Sequence, residues 1–285
     1  MKLRKTDIRV FSLKRTQVPF RPVLLLLLLL SIGLRQSGRA QQTGTSTSIA
    51  NAPLSTEQIV DNLVAMNIER ARALHAYHGS RIYRVEYHGF PGAFSAEMVV
   101  DVRYQSPGTR QFTIVSSTGS KLILDKVFKK LMQAEKESQA AKSQSRSALN
   151  RDNYRFTLVG YESTPSGSMY VLMVKPRTKN KFLYRGRIWV DGKDFAVTRL
   201  EVKPAKNPSF WIRNSKIEEV YKRVNDFWLP AFNQSISAIR FGGHAKLTIQ
   251  YKNYQITNAG PVSSLPMLET RSVSTRLMPV AHNLK

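Results

Sequence analysis

The sequence predicts an α+β fold built on a curved antiparallel sheet of about ten strands. Three observations predict it. Apolar residues alternate at period two through most of the chain. Helical period occurs in only two stretches. Those stretches interrupt the strands and do not alternate with them, which separates this pattern from a parallel α/β arrangement. A long antiparallel sheet with one apolar face must close, pack on a second sheet or be covered. Two helices are too few to cover ten strands fully, so the rest of the apolar face is either a packed interior or a ligand cavity.

The first helix is expected over 55–77. Ser55 is a good N-cap and Gln58 stands three positions on for the reciprocal contact. Ile59, Leu63, Met66 and Leu74 follow at helical spacing. From Tyr77 the period becomes two. Tyr83, Val85 and Tyr87 alternate with Arg84, Glu86 and His88, and the turn Gly89-Phe90-Pro91-Gly92 follows. Phe94, Ala96, Met98, Val100, Val102 and Tyr104 then share one face, the clearest half-buried strand in the chain. A third strand at 111–116 completes an antiparallel meander. Helical period returns over 121–142 with Leu122, Leu124, Val127, Phe128, Leu131 and Met132, and the half from Ala134 onward reads as charged and solvated. Strands resume at 154–161, 169–175, 185–191, 195–203, 215–224, 232–241 and 244–256. Asp191-Gly192 and Gly242-Gly243 read as tight hairpin turns.

The ends carry different signals. Seven basic residues precede Val23, which opens an apolar run through Leu34, and Gly38-Arg39-Ala40 supplies small residues. The run is too short for a bilayer span, which takes about 20 residues. It reads as a secretory signal peptide over 1–40, an uncleaved anchor being the other reading. A Thr/Ser-rich linker over 41–54, a folded domain over 55–260 and a loose tail over 261–285 complete the organisation. The whole chain of 285 residues carries a net charge of +25. Without the leader, 35 Lys+Arg stand against 18 Asp+Glu, so an excess of +17 remains in residues 41–285. There are no cysteines. That excludes disulfides, thiolate nucleophiles, Cys-ligated zinc, iron–sulfur clusters and a lipid-modified N-terminal Cys.

At Tyr184–Pro204 the chain reads YRGRIWVDGKDFAVTRLEVKP, and Ser209–Pro230 reads SFWIRNSKIEEVYKRVNDFWLP. A strand ending W-V-D, a hairpin, then E-x-Y-K-x-V and W-L-P resemble the periplasmic LolA/LolB-like lipoprotein-carrier superfamily and its outer membrane lipoprotein-sorting relatives. The resemblance implies a half-open β-barrel whose helices form a lid over an apolar concave face. It also implies a periplasmic, non-enzymatic protein that shelters lipid or lipoprotein acyl chains, with only peripheral or transient membrane contact. The superfamily's RseB-like sensor branch implies the alternative, a protein-interaction module with a filled core and an envelope protein partner.

Candidate residues follow from the alternation. Met98, Val100, Val102, Tyr170, Leu172, Ile188, Val190, Leu200, Leu247 and Ile249 are expected on the inner face as the apolar cavity. Trp189, Phe195, Phe210 and Trp211 are expected at its mouth. The run KPRTKNKFLYRGR, with Lys175, Arg177, Lys179, Lys181, Arg185 and Arg187 and no acid, is either a contact for anionic headgroups or an acidic partner, or a solvated basic loop. Nucleic acid is not expected for an exported chain. His75, His78 and His88 lie close in sequence, but a hairpin does not converge them on a metal. No G-x-S-x-G, H-E-x-x-H, Gly-rich phosphate loop or EF-hand pattern occurs, so neither a cofactor nor catalysis is expected.

Overall fold

The computed structural model describes residues 52–262, apart from 108, 139–144, 165–166, 181, 208–211 and 241. The leader, most of the linker and the tail from 263 lie outside the described residues.

The described residues form ten strands in a single antiparallel sheet. They are β1 (Leu74–Gly89), β2 (Gly92–Gln105), β3 (Thr109–Gly119), β4 (Tyr154–Thr164), β5 (Gly167–Pro176), β6 (Tyr184–Asp191), β7 (Val197–Pro204), β8 (Ile212–Val224), β9 (Phe227–Ile239) and β10 (His244–Ala259). Their spatial order is β3-β2-β1-β10-β9-β8-β7-β6-β5-β4. Every neighbour is also a sequence neighbour except β1 and β10, which close the two meanders into one sheet with Tyr83 opposite Ile249 and Val85 opposite Leu247. The edges β3 and β4 do not pair, so the sheet is a curved, unclosed half-barrel. Bulges at Val99/Val100, Leu158/Gly160, Trp189/Val190 and Val220/Tyr221 supply bending, because an extra residue on one strand raises the local twist.

Two helical segments lie on the concave face. Helix α1 (Thr56–Ala73) opens on the expected capping box. The Gln58 amide donates to Ser55 Oγ at 3.3 Å, and the Ser55 amide donates to Gln58 Oε1 at 2.9 Å. Ser55→Ala is expected to cost about 1 kcal/mol, checked by urea denaturation, because it orphans an N-terminal amide. The helix stops four residues earlier than its periodicity predicts. Leu74 is already extended and pairs with Ala259 as the first residue of β1.

The second segment joins the two open edges. It runs as α2 (Lys121–Ile123), a π-turn (Leu124–Phe128) and α3 (Lys129–Ser138). It starts beyond Gly119, whose φ of 91° and close approach to Ser95 O leave no room for a Cβ. The β6–β7 connection also differs from the expected tight turn. It takes five residues, with Phe195 in the left-handed region at φ 46°. Asp191 Oδ1 accepts from the amides of Lys193 (2.9 Å) and Asp194 (2.6 Å) and so fixes the loop.

Candidate functional site

The concave face holds two apolar basins. In the first, Tyr83, Val85, Met98, Val100, Val102, Leu247 and Ile249 of β1, β2 and β10 pack under Ile123, Phe128, Leu131 and Met132 of the second helical segment. The Phe128 ring lies 5.8 Å from that of Tyr83. In the second, Tyr170, Leu172, Ile188, Val190, Leu200 and Val202 of β5 to β7 pack under Ile59, Val60 and Leu63 of α1. All ten residues expected on the inner face are there, buried, and divided five to each basin.

A polar seam separates the basins, and it comes from β9. Its inward residues are Asn233, Ser235 and Ser237, each almost fully buried. Ser237 shares a 2.5 Å hydrogen bond with Ser215 of β8. Asn233 sits opposite Glu219 of β8 in the ladder and hydrogen-bonds its carboxyl, as does Tyr221. Burial pushes the Glu219 carboxyl up to about 7, against the opposing effect of those two hydrogen bonds. Sequence reasoning missed this strand because its phase is inverted. Ile236 faces outward while the serines face in, so composition alone assigns the wrong side.

The second helical segment is held by a charge clasp as well as by packing. Arg81 of β1, 6 % exposed, donates from its two terminal nitrogens to the Glu135 carboxylate at 2.6 and 3.1 Å. Arg110 of β3 reaches the same carboxylate at 3.0 Å. The Arg81 guanidinium also lies over the rings of Phe112 and Tyr251, at 5.6 and 5.0 Å. Burial would raise the Glu135 pKa, but the two arginines overcome that and hold it below the ordinary carboxylate value. The expected solvated character from Ala134 onward therefore fails at Glu135. Sequence reasoning also missed Arg81, although its place two residues before Tyr83, in phase with the inner face, is a signal that could have found it.

Helix α1 has its own anchor. Arg70 donates to the carbonyls of Asp194 (2.7 Å) and Phe195 (2.9 Å) in the β6–β7 loop. Trp228 Nε1 donates to Asp194 Oδ2 at 2.9 Å. A cavity of about 210 Å³ remains beside this anchor, lined by Asn67, Arg70, Tyr184, Leu200, Tyr221 and Trp228 among others.

The expected mouth residues scatter. Trp189 is on the outer face, stacked by Arg187 and Arg199 at 5.7 and 5.2 Å from its ring, because Ile188 and Val190 on either side point inward. Phe195 packs at the edge of the second basin, nearly parallel to the Tyr170 ring at 6.5 Å. Phe210, Trp211 and Lys181 lie outside the described residues. Of the basic run, Lys175, Arg185 and Arg187 are on the outer face. Arg177 Nε donates to the Arg151 carbonyl at 2.6 Å, and Lys179 is exposed in the following loop. Among the described residues no group of three or more His, Asp or Glu could hold a metal ion, and no helix is long and apolar enough to cross a membrane.

Residues 90–254, from the β1–β2 turn into β10, match the model of DUF5686, described as a family of unknown function. The chain belongs to that family. No curated protein matches it. Solved structures similar to this DUF5686 chain include a DUF1329 family protein from Desulfovibrio piger, 11% identical over 71% of this chain and 93% of that one, with a TM-score of 0.36. They also include a domain described as an outer membrane lipoprotein-sorting protein from Vibrio parahaemolyticus, at 10% identity, 71% and 94% coverage and a TM-score of 0.36. A LolA superfamily protein from Nitrosomonas europaea shows 9% identity, 73% and 96% coverage and a TM-score of 0.32. The carrier superfamily that Tyr184–Pro230 resembles is thus among the similar structures. At these TM-scores the function of the DUF5686 chain has to be argued from its own residues.

Proposed function

We propose that this chain is a non-enzymatic, exported binding protein that shelters an acyl chain or similar apolar tail in its first concave basin. One observation carries the reading. The cover over that basin rests on four buried apolar side chains, Ile123, Phe128, Leu131 and Met132, with Leu124 and Val127 half-buried beside them, and on one carboxylate clasped by Arg81 and Arg110. It is an irregular helix that begins two residues after a glycine. Swinging it aside uncovers a contiguous apolar floor on β1, β2 and β10. An incoming acyl chain would replace the same contacts, at about 0.8 kcal/mol per buried CH₂. The π-turn at Leu124–Phe128 supports the reading, since such turns concentrate at functional sites. Export, and with it a periplasmic location, rests on the basic and leucine-rich leader.

Uptake of a fluorescent fatty acid and of a fluorescent acylated peptide tests this. Glu135→Gln removes the charge that holds the cover while keeping its shape. It is expected to speed uptake severalfold over the unaltered chain. Val100→Phe, which fills the floor, is expected to slow uptake. Absence of uptake by both the unaltered chain and Glu135→Gln would sink the carrier reading and leave the filled-core interaction module.

A further inference from the structure

The outer face of the sheet carries a row of basic side chains that runs across five strands. Arg155 of β4 faces Lys175 of β5 in the ladder. One residue on from the pair Val174–Gly186, Lys175 faces Arg185 of β6. Arg185 faces Lys203 of β7. One residue on from the pair Val202–Ile217, Lys203 faces Lys216 of β8. The row ends at Ile236 of β9, which faces Lys216. All five basic residues are exposed. With strands about 4.8 Å apart, the row is roughly 19 Å long.

Like charges directly opposite each other on neighbouring strands destabilise a sheet. Here the arrangement repeats four times without interruption, and none of the five has an acidic partner among the described residues. The adjacent row shows that this strand set can neutralise itself. There Arg187 and Arg199 pair with Glu201 at 3.6 and 2.5 Å, and Arg199 also reaches Glu218 at 2.8 Å. Four of the five, Lys175, Arg185, Lys203 and Lys216, line a groove of about 620 Å³ that Met173 and Ile236 also wall, with the arginine-paired Glu201 and Glu218 along its other side. Gly186 forms part of its floor, with φ 150° and a position where a Cβ would strike the Glu201 carbonyl.

We propose that this groove binds an acidic peptide segment of a protein partner. The chemistry selects a single line of carboxylates with apolar groups between them. Among the described residues that line the groove, the unpaired cations stand in this one row, while Met173, Ile236 and the lysine stems offer apolar contact. A flat anionic membrane would meet the rim of the groove and leave its floor empty. Three of the five residues, Arg155, Lys203 and Lys216, lie outside the basic run at 175–187 and join it only through strand register. The site is on the opposite face from the acyl basin, so either proposal stands if the other fails.

The test uses the full chain and fluorescence anisotropy of a short labelled peptide of glutamates with Met and Ser between them, against its glutamine counterpart. Saturable binding of the acidic peptide, weakened by salt, is expected. Lys203→Glu with Lys216→Glu should weaken it at least tenfold. Lys222→Glu with Lys252→Glu, which removes equal charge elsewhere, should change it less than twofold. Three results would overturn the proposal: no saturable binding, equal losses in the two pairs, or preferential capture of phosphatidylglycerol vesicles by the same residues.

Discussion

Arg81→Met is expected to cost about 3 kcal/mol of folding stability and to release the cover over the first basin. The magnitude follows from what stays behind. Removing one partner of a buried ion pair leaves the other charge without compensation, typically a loss of about 3–5 kcal/mol. Arg110 still reaches Glu135 at 3.0 Å, which puts the expectation at the low end of that range. The hydrogen bond from Arg81 to Tyr83 Oη at 3.2 Å and the stacking on Phe112 and Tyr251 go with it. Urea denaturation reads the stability. Hydrogen exchange over 121–138 reads the cover, which should lose protection ahead of β1, β2 and β10. The double variant Arg81→Met with Glu135→Leu should recover most of the loss, because a well-packed apolar pair replaces a buried ionic one at little cost. A single variant as stable as the unaltered chain would mean that the clasp is not what holds the cover. Acid should act in the same direction. The Glu135 pKa is depressed in the folded state, so its stabilisation is complete above the ordinary carboxylate value and is lost as pH falls through the depressed one.

The sheet was legible from the sequence because period-two alternation is a property of single strands. Phe94 to Tyr104 locates β2 by itself, and Ser55 with Gln58 locates the start of α1 by itself. What could not be read depends on how strands meet. The inward face of β9 is set by its register with β8 and β10, and that register turns Asn233, Ser235 and Ser237 inward although Ile236 looks like the core residue. Trp189 follows the same rule, since its neighbours occupy the core and send it outside. The basic run at 175–187 was visible as composition. The row that contains only part of it was not, because Arg155, Lys203 and Lys216 are brought beside it by the exact register of four successive ladders from β4 to β8. Glu135 was hidden for a related reason: its partners Arg81 and Arg110 stand on β1 and β3, and nothing local marks one acid of a charged helix as the one that turns inward.

Glu219→Gln is expected to raise stability at pH 8 by an amount on the order of 3 kcal/mol and to flatten its dependence on pH. The Glu219 carboxyl is pushed from its ordinary 4.5 up to about 7 by burial in the seam between the basins. Each pKa unit corresponds to about 1.4 kcal/mol between protonation states. Between pH 4.5 and 7 the unfolded chain has released this proton and the folded chain still holds it, so the group's contribution to stability falls as pH rises through that window. Glu135 works in the opposite sense and at lower pH, which keeps the two effects apart in a titration. The groups facing Glu219 are Asn233 and Tyr221, with Glu135 and Arg81 further off, and none of them supplies a nearby cation that would settle the ionised form. Glutamine keeps the size and the hydrogen-bonding capacity for Asn233 and Tyr221 but never ionises. Urea midpoints for the two proteins should therefore agree near pH 4.5 and diverge as pH rises to 8. Parallel curves would show that water reaches the seam and that Glu219 titrates as an ordinary surface carboxylate.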